Sequence, residues 1–148
     1  MPEYRGCELP EDRYYDLDYV WVMPQQNDVY RIGITDPAQT MSGRVQYASF
    51  KKIGAHRICG KPVVRLESGK WAGGVPAPFD GEILRINERV EKNPGFLNIA
   101  PYTDAWLVEM RPDNPGTALA HLTTGIDAQK ALRAWIDRYE VQCMRCQE

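Results

Sequence analysis

The residues best placed to do chemistry lie in one short stretch. In Leu66-Glu67-Ser68-Gly69-Lys70-Trp71 a lysine follows a Ser-Gly pair that marks a tight turn. The chain before it, Lys61 to Glu67, reads as a strand, and beyond it the chain returns through Ala72 to Pro78. Lys70 therefore stands at the tip of a hairpin. A modifying enzyme can reach its amine on that narrow projection, and a long group fixed to it can swing. Taken alone, a turn lysine is ordinary solvated surface, so the sequence around it decides the reading.

The other reactive side chains form no comparable pattern. Cys7, Cys59, Cys143 and Cys146 lie in three separate parts of the chain, and in a reducing compartment they read as four free thiols. Cys143 and Cys146 would share a face if they stood on a helix. Zinc needs two more ligands, and Cys7, Cys59, His56 and His121 show no paired spacing, so no metal site is expected. Cys143 is expected to be packed and Cys146 exposed; a redox pair is the alternative. Cys59 follows basic residues that could activate it, against the default of an inert thiol. The isolated His56 and His121 receive no role. Lys51, Lys52, Arg57 and Lys61 cluster just before the hairpin. They are either a solvated basic edge or a docking face for an acidic partner or anionic load.

The elements that must position Lys70 are mostly strands. Tyr19 to Met23 is aromatic and β-branched, Asn27-Asp28 suits a turn, and Val29 to Ile34 returns as a hairpin partner. Thr35 or Asp36 can cap a short helix with Pro37 in its first turn, stopped by Ser42-Gly43. Val45 to Phe50 alternates as a half-buried strand does. Asp80-Gly81 is a turn leading into Glu82 to Asn87, Glu88 to Asn98 has room for one or two helical turns, and Ala105 to Met110 is a last strand. Thr124 to Asp127 resembles a capping box with Asp in place of Glu. Ala128, Ala131, Leu132, Trp135, Ile136, Tyr139 and Cys143 then recur at helical spacing. The pattern predicts a mainly β fold, a flattened barrel or sandwich of short antiparallel strands, with short helices and a C-terminal amphipathic helix. Residues 1–14 read as an N-terminal extension, 15–112 as the domain and 113–148 as a helical extension packed on it.

Several blocks in order resemble the H protein of the glycine cleavage system and its relatives. They are Val20-Trp21-Val22, Gly33 to Gln39, Glu67 to Lys70, Ala77 to Ile83, Val90 to Pro94, Ala100-Pro101-Tyr102 and Ala105-Trp106-Leu107. The resemblance implies a lipoyl carrier with lipoic acid in amide linkage on Lys70. It also implies recognition by lipoate-attaching enzymes through Glu67, three residues before, and Gly81, eleven after. The glycine is expected to face the lysine across the sheet, with a positive φ as one reason for it. Biotin carriers use a similar hairpin but flank the lysine with methionines, where this chain has Gly69 and Trp71.

Two departures bear on what such an arm carries. The family has a glutamate before its early tryptophan, where this chain has Val20, and tends to an aspartate four residues after the lysine, where it has Gly74. An aminomethyl load is cationic and needs acidic or polar partners where it docks. The opening Glu11 to Tyr15, Gly69-Lys70-Trp71 and the longer C-terminal end look closer to the lipoate-binding proteins of heterodisulfide-reductase-like sulfur oxidation. That resemblance implies sulfur intermediates on the arm, with a heterodisulfide-reductase-like complex and sulfur transferases as partners. A glycine cleavage H protein carrying an aminomethyl group is the alternative. A β-sandwich adaptor without cofactor is a further one, opposed by the Glu67, Lys70 and Gly81 spacing. In either carrier reading the protein is a carrier and not an enzyme.

Composition agrees. The chain of 148 residues is 43% apolar and 26% charged with net charge −2, an ordinary single-domain globular balance with no general pull toward nucleic acid or membrane. No apolar run has the length of a membrane span and the N-terminus lacks signal-peptide character, so the expectation is cytoplasmic.

Overall fold

The computed structural model describes residues 2–16 and 19–145. Eleven short strands and three α-helices build it. Two of its sheets enclose the core. The larger has the order β3 (Tyr14–Asp16), β4 (Val20–Pro24), β5 (Tyr30–Ile34), β11 (Val108–Pro112), β10 (Gly81–Ile86) and β7 (His56–Arg57). The smaller is β6 (Val45–Phe50), β8 (Pro62–Ser68) and β9 (Ala72–Pro76). All pairings are antiparallel. Alternation sends Val20, Val22, Ile32 and Ile34 of the larger sheet and Val64, Leu66 and Val75 of the smaller into one core.

Expected local signals hold at several places. Asn27 and Asp28 both take positive φ in the β4–β5 turn, a conformation that Asn and Asp tolerate. Thr35 caps α1 (Asp36–Ser42), its hydroxyl accepting from Ala38 N–H at 3.2 Å. Glu88 to Asn98 holds α2 (Glu88–Lys92) and a single 3-10 turn (Pro94–Asn98). The last strand begins at Val108 rather than Ala105, although the Leu107 N–H already donates to the Ile32 carbonyl at 2.8 Å.

The C-terminal helix, α3 (Gly125–Arg138), buries Ala128, Leu132 and Ile136, but Ala131 is exposed and Tyr139 lies beyond its last turn. Thr124 makes no side-chain cap; its hydroxyl instead donates to the Arg13 carbonyl at 2.9 Å. These residues, with Leu9, Tyr15, Trp21 and Tyr102, form a second apolar cluster on the other face of the larger sheet.

The thiol expectation is overturned here. The helix ends before Cys143, which is disulfide-bonded to Cys7 in the small hairpin of β1 (Glu3–Tyr4) and β2 (Cys7–Glu8). The two sulfurs are far apart in sequence, and only the folding of both ends onto one cluster brings them together. Cys146, the other residue of the expected pair, lies outside the described residues.

Candidate functional site

Lys70 stands where the turn signal put it. Residues 69–71 join β8 to β9, and Glu67 pairs with Ala72 at the last rung. Ser68 organises the turn: its backbone N–H donates to the Trp71 carbonyl at 2.7 Å, and its hydroxyl oxygen accepts from the Trp71 N–H at 3.1 Å and the Lys70 N–H at 3.3 Å. The same hydroxyl donates to the Ser42 carbonyl at 2.5 Å, tying the tip to the end of α1. The Lys70 side chain is exposed, and among the described residues its amine has neither a hydrogen bond nor an ion pair. Its stem lies over Gly43. A Cβ there would come within 2.9 Å of Lys70 Cε, which the flexible lysine could relieve, while the φ of +73° is the constraint that asks for glycine.

Beside the tip is an apolar cleft of about 330 Å³ lined by Tyr19, Ile34, Ala38, Met41, Ser42, Leu66, Trp71, Val75 and Trp135. It draws on both sheets, α1, α3 and the hairpin itself. None of these side chains carries charge at neutral pH; burial, and then the nearby Asp16, pushes the Tyr19 hydroxyl pKa up. Val20 is fully buried between the sheets and does not line this cleft; its neighbour Tyr19, just before β4, lines it instead. Gly74 lines a different cavity, on the outer face of the smaller sheet. The expected docking groove of Val20 and Gly74 is therefore corrected: an apolar groove exists, built from other residues.

Glu67 is exposed on the hairpin, with a 3.7 Å ion pair to Arg65 as its side-chain partner. Gly81 is elsewhere. It is buried in β10 of the other sheet, paired with Pro112 on one side and Arg57 on the other, and does not face Lys70 across a shared sheet. Its φ is not positive. The requirement is steric, since a Cβ would collide with the Arg111 carbonyl oxygen. Gly81→Ala should therefore lower stability by about 2 kcal/mol, read in a denaturant melt. An unchanged midpoint would mean that the β10–β11 pair accommodates the methyl freely.

The remaining candidates separate. Cys59 lies 3.8 Å from His121 Nε2, but burial, with help from Asp16 and Asp80, raises its thiol pKa, so the basic stretch does not activate it. His56 pairs with Asp113 at 2.6 Å. Among the described residues no group of three His, Cys, Asp or Glu is arranged to hold a metal ion. Of the basic cluster, Lys51, Lys52 and Lys61 are exposed, while Arg57 is drawn half-buried into β7. Sequence reasoning missed the cleft: Met41 and Trp135 are distant in the chain, and only the docking of α1 and α3 brings them to the hairpin.

The profile of the glycine cleavage H-protein family matches residues 13–134. The chain belongs to the glycine cleavage H-protein family. It is 42% identical to glycine cleavage system H protein 3 of Aquifex aeolicus, over 97% of this chain and 92% of that one. It is 45% identical to the probable glycine cleavage system H protein 2 of Sulfurisphaera tokodaii, over 98% and 99%. The crystal structure of a glycine cleavage system H protein from Mycobacterium marinum superposes with a TM-score of 0.72 at 25% identity, covering 83% of this chain and 98% of that one. The mainly β H-protein fold and a lipoyl carrier role follow from this membership. No helix among the described residues is long and apolar enough to cross a membrane.

Proposed function

We propose that the protein is a lipoyl carrier with lipoate in amide linkage on Lys70, recognised by lipoate-attaching enzymes in part through the exposed Glu67, with Gly81 acting through the fold. The observation that carries this is an exposed lysine at a hairpin tip beside an apolar cleft, its amine without a partner among the described residues. The residues fit the group: Met41, Leu66, Trp71 and Trp135 offer apolar surface to an alkyl chain, and Gly43 clears space for the lysine stem. When bound, the group supplies two neighbouring sulfurs that cycle between disulfide and dithiol. The chain supplies position and shelter, and partner enzymes supply catalysis. Its working compartment is the cytoplasm.

The relatives' names favour glycine cleavage, with an aminomethyl load and the glycine cleavage enzymes as partners. One observation favours the second reading, sulfur intermediates passed with a heterodisulfide-reductase-like complex and sulfur transferases: among the described residues no carboxylate lines the cleft, so its lining offers a cationic load no counter-charge of its own. The test supplies the lipoylated protein to purified glycine cleavage enzymes and measures carbon dioxide release from glycine. Turnover within about tenfold of an established H protein supports glycine cleavage, tenfold being the effect of about 1.4 kcal/mol on a barrier. Turnover at background overturns it. The sulfur reading then stands only if mass spectrometry finds a sulfur adduct on the Lys70 arm.

A further inference from the structure

We propose that the outer face of the smaller sheet is a docking surface for an acidic face of the partner enzyme that works on the Lys70 arm; this rests on the carrier reading above. The register of the sheet sets out the surface. One row across it is Tyr47, Glu67 and Ala72, and the next is Ser49, Arg65 and Gly74. Tyr47 is 64% exposed, unusual for so large a ring. Gly74, Pro62 and Pro76 leave the middle of the face low, and a cavity of about 560 Å³ opens there, rimmed by Lys51 and Arg65.

Charge names the occupant. Lys51, Lys52 and Lys61 have no ion pair among the described residues, and Arg65 has only Glu67 at 3.7 Å. No acidic residue lines the cavity. The other cationic hollow on the molecule differs. Around Trp106, Arg13 pairs with Asp12, Arg89 with Asp104, and Arg31 and Arg85 share Glu109, so three carboxylates offset most of the charge of four arginines. The smaller sheet thus presents a local excess of positive charge around its cavity, and a tyrosine beside it supplies apolar contact area. Location gives the purpose. Arg65 is on the same strand that leads to Lys70, about 17 Å away by strand rise, so a partner seated here has the arm within its reach.

The probe is a polyglutamate peptide of about ten residues, titrated into ¹⁵N-labelled lipoylated protein at low ionic strength, where surface charge is least screened. Amide shifts are expected at Tyr47, Ser49, Arg65 and Gly74. Lys51→Glu/Arg65→Glu should weaken binding at least tenfold, and Lys130→Glu on α3 should leave it unchanged. Lys51→Gln/Arg65→Gln, with an intermediate loss, guards against a misfolded reversal variant. Shifts centred on Arg85 and Arg89, no shifts, or equal binding by the reversal variant would overturn the proposal. Intact mass, measured first, keeps the two readings apart: Lys70 without lipoyl mass removes the carrier reading whatever the peptide does, and a lipoylated protein that ignores the peptide removes the docking surface alone.

Discussion

Lys70→Ala, produced alongside lipoate-attaching enzymes, should gain none of the lipoyl mass of about 188 Da that the parent protein acquires. The loss should be complete because no other lysine shares the setting. Lys51, Lys52 and Lys61 are exposed, but none sits at the tip of the β8–β9 hairpin with the turn fixed by Ser68. The fold should not change. The Lys70 amine makes no hydrogen bond among the described residues, so truncation removes only contact between its stem and Gly43. Surface changes of this kind stay within about 0.5 kcal/mol, and the melting midpoint should match the parent's. In the same experiment Glu67→Ala should be modified about tenfold more slowly, the rate effect of about 1.4 kcal/mol of lost recognition. Its one ion pair among the described residues, to exposed Arg65, is too weak to matter to the fold. A lipoyl mass on Lys70→Ala would place the arm on another lysine.

The hairpin was legible because its signals are local. Ser68-Gly69 specifies the turn, and the alternation of Val64, Leu66 and their neighbours specifies the strand. Asn27-Asp28, Thr35 and Pro37 are legible for the same reason: each acts within a few residues of itself. The small strands β1 and β2 were not. Two residues each give no periodicity, and the turn between them places Arg5 at φ +51°, where a non-glycine residue is uncommon. Gly81 was found but misunderstood, because its need comes from a backbone carbonyl on a strand about thirty residues later, which no local pattern reveals. Val20 was misread as a groove residue for a related reason. A departure from a family's residue type can be read from the sequence alone, while which face the residue occupies depends on the pairing partner.

The largest correction also gives the largest expected stability effect. Reducing the Cys7–Cys143 disulfide should cost about 5 kcal/mol, the loop-closure entropy for a sequence separation of 136 residues. For a chain of this length that corresponds to a fall in melting midpoint of roughly 10–20 °C. Non-covalent contacts also join the two ends at this seam. The Cys143 N–H donates to the Arg5 carbonyl at 3.1 Å, Tyr4 donates to Asp137 at 2.7 Å, and Arg145 reaches Glu8 at 3.4 Å and buried Asp36 at 3.3 Å. They hold the ends together in the folded state but do nothing to restrict the unfolded chain, which is where the cross-link acts. The comparison is a thermal melt of the oxidised protein against the same protein in reductant, with Cys7→Ala/Cys143→Ala as the variant that cannot re-form the bond. The variant should melt near the reduced parent and be insensitive to reductant. If oxidised and reduced proteins melt within about 1 °C of each other, the bond contributes far less than the loop-closure estimate. The seam's hydrogen bonds and the packing of Leu132 and Ile136 would then be what fastens the two ends to the sheet.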